Sequence, residues 1–409
     1  MKLIRLTTVP LSLQFLIKGQ PRFMSKCFEV LCVSSGPKAE LDQVAVNEGV
    51  KVKDIDMTRQ ITPLSDLLSL VKLICLFRKQ KPTIVHTHTP KAGILGMLAA
   101  NLAGVPIRLH TVAGLPLMET KGVKRKILDA VEKLTYTCAT KVYSNSKGLE
   151  KFILKNNYAK ADKVKVIANG SSNGIDTSHF DPENYNQQQN HALRQQLGMQ
   201  QKDFVFTFVG RLVGDKGINE LVKAFSVISK QSLVTSHESL ATKNQSPVTN
   251  HKLLLVGPYE SELDPLLPET LVEINSNPNI ISVGFQEDVR PYFSISDALA
   301  FPSYREGFPN VVMQAGAMGL PSIVSDINGC NEIIENGKNG IIVPAKVGTS
   351  PSKALQNDLQ QAMLKLMQDQ DLYQELKSNA RDMITSRYEQ QLVWEALLEE
   401  YERLLVNSD

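Results

Sequence analysis

Short β-rich runs alternate with helix-length segments along this chain, and the alternation occurs in two successive series. The first series of runs is Leu3–Leu6, Glu29–Val33, Val50–Asp56, Thr83–His86, Ile107–Thr111, Lys141–Ser144 and Val164–Ile167. Stretches such as Leu64–Arg78, Ala92–Ala103 and Val123–Cys138 separate them. The second series is Phe204–Val209, Leu253–Val256, Ile280–Val283, Ala298–Phe301, Ser322–Val324 and Ile341–Val343. Strands separated by helices pair in parallel, and a parallel sheet is covered by helices on both faces. The fold class is therefore α/β, with two doubly wound, Rossmann-like domains. Such sheets bind ligands at the carboxyl ends of their strands, so two facing sheets would hold a site in the cleft between them.

The predicted spans are 1–172 for the first domain and 203–388 for the second, with a linker over 173–202. Asp181–Gln200 contains NYNQQQN and reads as a linker or edge helix by composition. The last thirty or so residues read as helix, with Leu392, Ala396, Leu397, Tyr401, Leu404 and Leu405 spaced near 3.6. The part over 389–409 is expected to pack back on the first domain. Ser229–Lys252 is polar and rich in Ser and Thr, and reads as a surface-loop insertion without an assigned role.

Hydrophobic residues make up 42% of the 409 and charged residues 21%, which excludes disordered, collagen-like and coiled-coil chains. Five cysteines form no CxxC pair, so a disulfide scaffold or zinc ribbon is excluded and free thiols in a reducing compartment are expected. No run reaches the 18 or so apolar residues of a spanning helix; the nearest, Gly93–Ile107, contains Asn101. The basic start and apolar run of residues 2–17 could begin a signal peptide. Lys18-Gly19-Gln20-Pro21-Arg22, however, stands where a small-x-small cleavage site belongs. The stretch reads as a first strand and helix, and the protein as intracellular.

Charge is divided unevenly. Residues 1–172 carry 27 Lys and Arg against 12 Asp and Glu, and the remainder 18 against 30. The first half thus calls for an anionic partner. No nucleic-acid-binding signature accompanies the charge, so nucleic acid is not expected, whereas an anionic membrane surface or phosphorylated substrate fits. In LPLMETKGVKRK, residues 115–126, Leu115, Leu117 and Met118 stand beside Lys121, Lys124, Arg125 and Lys126. That mixture suits an interfacial anchor, although a solvated loop with a charged helix start has the same composition.

Four motifs carry candidate chemistry. VGRLVGDKG, residues 209–217, follows a strand and precedes a helix, placing Arg211 and Lys216 among Gly210, Gly214 and Gly217. Glycines allow close backbone approach to a ligand and the helix start favours anions, though a glycine-rich turn with two solvated cations reads the same way. REGFPNVVMQAGAMG, residues 305–319, holds Glu306, Gly307, Phe308 and Pro309 in a loop and Asn310 at a helix start. Gln314 stands eight residues after Glu306, and Ala315, Gly316, Ala317 and Gly319 suggest close helix packing. LHTVAG, residues 109–114, and VHTHTPKAG, residues 85–93, put His110, His86 and His88 at strand carboxyl ends. No ligand set at metal spacing lies beside these histidines, and Asp54-Ile55-Asp56 matches a metal-binding DxD only by composition.

Arg211 and Lys216 after a strand, then Glu306 with a partner eight residues on, resemble the donor site of retaining GT-B glycosyltransferases of family 4, over nearly the whole chain. HTHTPKAG, HTVAGLP and EGFPNVV resemble the subgroup that adds sugars to lipid-linked bacterial glycans. The resemblance implies a nucleotide-sugar donor, UDP-linked, held by the second domain through Gly210, Arg211, Lys216, Glu306, Gly307, Phe308, Asn310 and Gln314. It implies a polyprenyl-diphosphate-linked glycan acceptor held by the first domain. Arg211 and Lys216 would neutralise the diphosphate, Glu306 would bond the donor sugar's hydroxyls, Gln314 the ribose, and His110 would line the sugar site. No metal or other cofactor is expected, and the location implied is peripheral, on the inner face of the plasma membrane. Two departures stand out: the family's second Glu is Gln314 here, and the glycine pair usual in the first loop is replaced by TTVPLSLQFLIKGQ. A nucleotide-sugar 2-epimerase and a non-catalytic sugar-nucleotide-binding subunit are the alternatives on this fold.

Overall fold

The computed structural model describes residues 1–60, 62–115, 117, 120–238, 250–260, 262, 264–345 and 351–406, with 231–238 by backbone alone. The chain divides into two units, Met1–Gly174 with Gln390–Asp409, and Ile175–Glu389. Among the described residues no helix is long and apolar enough to cross a membrane.

Unit 1 holds a seven-stranded sheet of β1 Lys2–Leu6, β2 Glu29–Ser34, β3 Lys51–Asp54, β4 Ile84–Thr87, β5 Ile107–Val112, β6 Lys141–Ser144 and β7 Val164–Val166. Its order is β3-β2-β1-β4-β5-β6-β7, and each pairing is parallel. Successive residues of β1 face opposite sides, as a pleat requires. Ile4 and Leu6 join Leu73, Phe77, Met97 and Tyr136 beneath the helices Pro63–Gln80, Pro90–Leu102 and Gly122–Cys138. Leu3 joins Phe28, Val44, Leu109 and Tyr143 on the other face, with Leu397 and Tyr401 of the helix Gln390–Val406. The end of the chain therefore completes the core of its first unit.

Unit 2 holds six parallel strands, β8 Phe204–Val209, β9 His251–Val256, β10 Ile280–Ser282, β11 Ala298–Phe301, β12 Ser322–Ser325 and β13 Gly340–Val343, in the order β10-β9-β8-β11-β12-β13. Every residue of β8, FVFTFV, is buried, as a central strand covered on both faces must be. Fully burying a Phe such as Phe206 or Phe208 is worth about 1.5–3 kcal/mol.

Three sequence expectations change. Residues 175–202 are part of unit 2 rather than a free linker. Their helix Gln187–Gln196 is capped by Asn186, and Arg194 donates to the carbonyls of Ile295 and Asp203. The expected loop over 229–252 begins as helix, because the helix Ile218–Glu238 runs into it; residues 239–249 lie outside the described residues. The single terminal helix is two, Gln370–Tyr388 and Gln390–Val406. They are broken at Glu389, which has φ −52° and ψ 132° and whose carboxylate accepts from the amide and hydroxyl of Thr177.

Candidate active site

Strand order reverses direction between β1 and β4 in unit 1 and between β8 and β11 in unit 2. A crevice opens at the carboxyl ends of strands at such a switch point. In unit 2 the two loops leaving β8 and β11 are the glycine motif 210–217 and the segment 302–309.

These loops are fastened together. The amide of Tyr304 donates to the carbonyl of Asp215 at 2.9 Å. Gly217 has φ +70°, and a Cβ there would lie 2.2 Å from the carbonyl oxygen of Pro302. Lys216 Nζ consequently meets Glu306 Oε1 at 2.6 Å, with the two side chains 15% and 16% exposed. Arg211 turns instead to Glu260, at 2.6 Å, and Arg305 Nε to Asp215 at 2.7 Å. Burial pushes the Asp215 carboxyl up, against the pull of Lys216 and Arg211. The Asp215 amide is itself held by Asp264 Oδ2 at 2.5 Å.

The Glu306 loop is shaped from behind. Asn328 Nδ2 donates to the Gly307 carbonyl at 2.5 Å. Gly329, at φ +78°, lets the chain pass where a Cβ would lie 2.7 Å from that same oxygen. Phe308 is buried edge-on to Tyr388, with centroids 5.5 Å apart. The helix Asn310–Ala317 then begins without a side-chain cap, leaving its first amides to other partners. Gly316 lies against Ile384 and Ala380, which is the close packing its small residues suggest. Asn310 is exposed and Gln314 half-buried.

In unit 1, His110 lines a pocket of about 140 Å³ together with Leu16, His88, Thr111 and Glu132. Its Nδ1 lies 2.7 Å from Thr87 Oγ1, and burial pushes its pKa down to about 4. The ring fits because position 93 is glycine, where a Cβ would lie 2.5 Å from His110 Cε1. Glu132 is a buried carboxyl whose pKa burial raises.

His86 and His88 belong to a buried network around Arg5, which is fully covered. Arg5 donates to His88 Nε2 at 3.0 Å, to Tyr401 Oη at 3.2 Å and to Gln20 Oε1 at 2.5 Å. His86 bridges the network, with Nδ1 2.5 Å from Tyr401 Oη and Nε2 2.7 Å from Thr111 Oγ1. The Arg5 guanidinium occupies Nε2 of His88. Asp56 of the DxD-like run is paired with Lys72 at 2.7 Å.

The segment 115–126 differs from its reading as an anchor. Leu115 and Leu117 are buried in the core, and Met118 lies outside the described residues. Arg125 faces the fold, bonding Asp129, the Leu117 carbonyl and Tyr158 Oη. Lys121, Lys124 and Lys126 are exposed.

The structure thus joins Lys216 to Glu306, turns Arg211 to Glu260, and places His110 in unit 1. Sequence reasoning missed Asn328, Gly329, Asp264 and Glu132; the Asn-Gly dipeptide 328–329 is a turn signal that could have pointed to the first two.

Two doubly wound parallel sheets, the second with a basic glycine loop beside a carboxylate loop at its switch point, define the GT-B class of glycosyltransferase fold. A crystal structure of Anabaena HepE in complex with UDP shares this fold at TM-score 0.75 and 18% identity, covering 98% of this chain and 100% of that one. Residues 189–383 match the family described as glycosyl transferases group 1, and residues 14–146 the glycosyl transferase 4-like family. The capsular polysaccharide biosynthesis glycosyltransferase CapM of Staphylococcus aureus is 34% identical over 410 residues, covering all of this chain and 98% of that protein. The UDP-Gal:alpha-D-GlcNAc-diphosphoundecaprenol alpha-1,3-galactosyltransferase of Escherichia coli is 29% identical over 77% of this chain and 75% of its own length. The chain belongs to this glycosyltransferase family and is an enzyme of that kind.

Proposed function

We propose that the protein is a retaining glycosyltransferase that moves a sugar from a UDP-linked donor to a polyprenyl-diphosphate-linked glycan in surface polysaccharide synthesis. It would work peripherally on the inner face of the plasma membrane. The acceptor class is supported by the capsular and diphosphoundecaprenol substrates named for the two relatives, and the donor by UDP in the HepE complex.

The single observation that carries the chemistry is the Lys216–Glu306 pair at the switch point of unit 2, with Arg211 and Arg305 on the same two loops. In this reading the donor diphosphate takes Lys216 and Arg211, and Glu306 turns to the sugar hydroxyls. The acceptor hydroxyl oxygen bonds the anomeric carbon as the bond from that carbon to the diphosphate oxygen breaks. The hydroxyl proton passes to the departing phosphate on the same face, so the configuration is kept. Cations on the leaving group stabilise its growing charge, and no metal is required. In unit 1, His110 and Glu132 would accept hydrogen bonds from acceptor hydroxyls in their pocket.

The test is a panel of nucleotide sugars incubated with the purified protein and a lipid-linked acceptor, with and without chelator. Release of UDP with an α-linked product, unchanged by chelator, is expected. Loss of activity on chelation with recovery in magnesium would refute the metal-free route, and product formation without acceptor would favour epimerisation.

A further inference from the structure

Buried polar atoms are nearly always hydrogen-bonded, so those that find no protein partner mark places where something else bonds them. Among the described residues of unit 1, His88 Nδ1, Ser144 Oγ, Asn145 Oδ1 and Ser172 Oγ are buried atoms of this kind. All four side chains line one cavity of about 20 Å³, whose apolar wall includes Val393 and Leu397 of the helix Gln390–Val406. Strand order explains the gathering. His88 follows β4, Ser144 ends β6 and Asn145 follows it, while β5, the strand of His110, lies between the two.

The chemistry of the four groups restricts the ligand. Arg5 Nε donates to His88 Nε2 at 3.0 Å, and a guanidinium can only donate, so the neutral ring carries its proton on Nδ1. Burial first, with the nearby Arg5 charge, holds the His88 pKa well below its ordinary value and keeps the ring neutral. Asn145 Nδ2 donates to the Ala113 carbonyl at 3.0 Å, which fixes the amide and leaves Oδ1 as an acceptor. The two serine hydroxyls can play either part.

A halide would satisfy the histidine proton but would face the Asn145 oxygen. A metal cation would satisfy that oxygen but would meet the histidine proton, with the Arg5 guanidinium behind it. A water both donates and accepts, and it needs roughly 10–15 Å³ of such space and two to four polar partners. The cavity supplies both, and it is too small for a phosphate or a sugar.

We propose that this cavity is a binding site for one structural water, which accepts from His88 Nδ1 and donates to Asn145 Oδ1, with Ser144 and Ser172 as its further partners. The site is also the rear wall of the His110 pocket. His88 and Thr111 line both cavities, and Asn145 holds the carbonyl of Ala113, which lines the pocket. The water therefore ties the end of β4 to the end of β6 across β5, and Ser144 and Asn145 act as positioning residues for the pocket. That consequence rests on the acceptor reading of the His110 pocket, whereas the water site itself does not.

The test is a crystal structure of the full-length protein at a resolution that shows ordered solvent. One solvent peak should lie within hydrogen-bond distance of His88 Nδ1, Asn145 Oδ1 and at least one of the two serine hydroxyls, without anomalous signal after a bromide soak. Ser144→Val and, separately, Ser172→Val put methyl groups into the cavity and should expel the peak. Each should raise acceptor KM severalfold and leave UDP affinity unchanged, while Ser144→Ala should keep both the peak and the wild-type KM. A wild-type structure without the peak overturns the proposal, as does anomalous density at the site, which would make the ligand a halide. Loss of the peak with an unchanged acceptor KM overturns the positioning role. A peak in protein that transfers sugar to no lipid-linked acceptor supports the water site and refutes the acceptor reading.

Discussion

Lys216 and Glu306 stand ninety positions apart in the chain and 2.6 Å apart in the structure, each about one-sixth exposed. The cation proposed for the donor diphosphate and the carboxylate proposed for the donor sugar form an ion pair with one another. A donor that engages both has to separate them. Lys216→Ala should weaken UDP binding at least tenfold in calorimetry, since a charge-assisted bond to phosphate is worth ~1.5–3 kcal/mol. Glu306→Gln should lower kcat by one to several orders of magnitude with a smaller change in donor affinity, each order being ~1.4 kcal/mol of barrier. Because the two side chains are partners, the double variant should lose less UDP affinity than the sum of the single losses. Strict additivity would disconnect the pair.

Gln314 is half-buried on the helix that starts at Asn310. A carboxylate accepts more strongly from ribose hydroxyls than an amide does. Gln314→Glu should therefore tighten the donor by ~1 kcal/mol and leave kcat nearly unchanged. A large change in kcat at constant donor affinity would move position 314 from the ribose to the reacting centre.

Gly329→Ala should damage the donor site without touching any proposed ligand contact. The new methyl would meet the Gly307 carbonyl at 2.7 Å, at a φ of +78° that L residues adopt poorly. Strain of this kind costs about 1–3 kcal/mol. The loop that presents Glu306 is the segment able to move, so donor KM should rise severalfold or more. An unaltered KM would show that the loop position does not depend on this contact.

Unit 1 should weaken in mild acid. His86, His88 and His110 are all buried with pKa values depressed below the ordinary 6.5, by desolvation first and, for His86 and His88, by the charge of Arg5 as well. Below pH 6.5 the unfolded chain binds protons that the folded one refuses, so stability falls as pH drops. Each histidine contributes a slope of up to about 1.4 kcal/mol per pH unit, which for His110 ends near its folded pKa of about 4. Urea melts between pH 7.5 and 5 should show it, and His110→Asn should flatten the slope. A pH-independent midpoint would mean that these rings take up protons in the fold as readily as in the unfolded chain.

How much of this was legible in the residues depends on the range of the interaction. The strands were readable because a covered parallel strand such as FVFTFV has to be apolar throughout, and that demand is local. Lys216 and Glu306 were readable because each sits on a loop whose glycines or proline mark it. Their contact was not, since it depends on a loop from β8 meeting a loop from β11. Arg125 and Leu117 misled for a related reason. Apolar and basic residues side by side describe an anchor and a buried turn equally well, and only the positions of Asp129 and Tyr158 separate the two. The break at Glu389 escaped notice because the apolar spacing continues across it. At the break the backbone of Glu389 leaves the helical region and its carboxylate bonds Thr177, 212 residues earlier.

Arg5 and Tyr401 are 396 positions apart, yet they share one hydrogen bond under the sheet of unit 1. A ribosome delivers the guanidinium 396 residues before the phenol. During synthesis the nascent Rossmann layer therefore waits with one face partly uncovered and with Arg5 held by Gln20 and His88 but not yet by its phenol, while the contiguous stretch 175–389 is already free to fold. A premature stop codon shortly before position 401 would spare the domain it adjoins and cripple the one translated first.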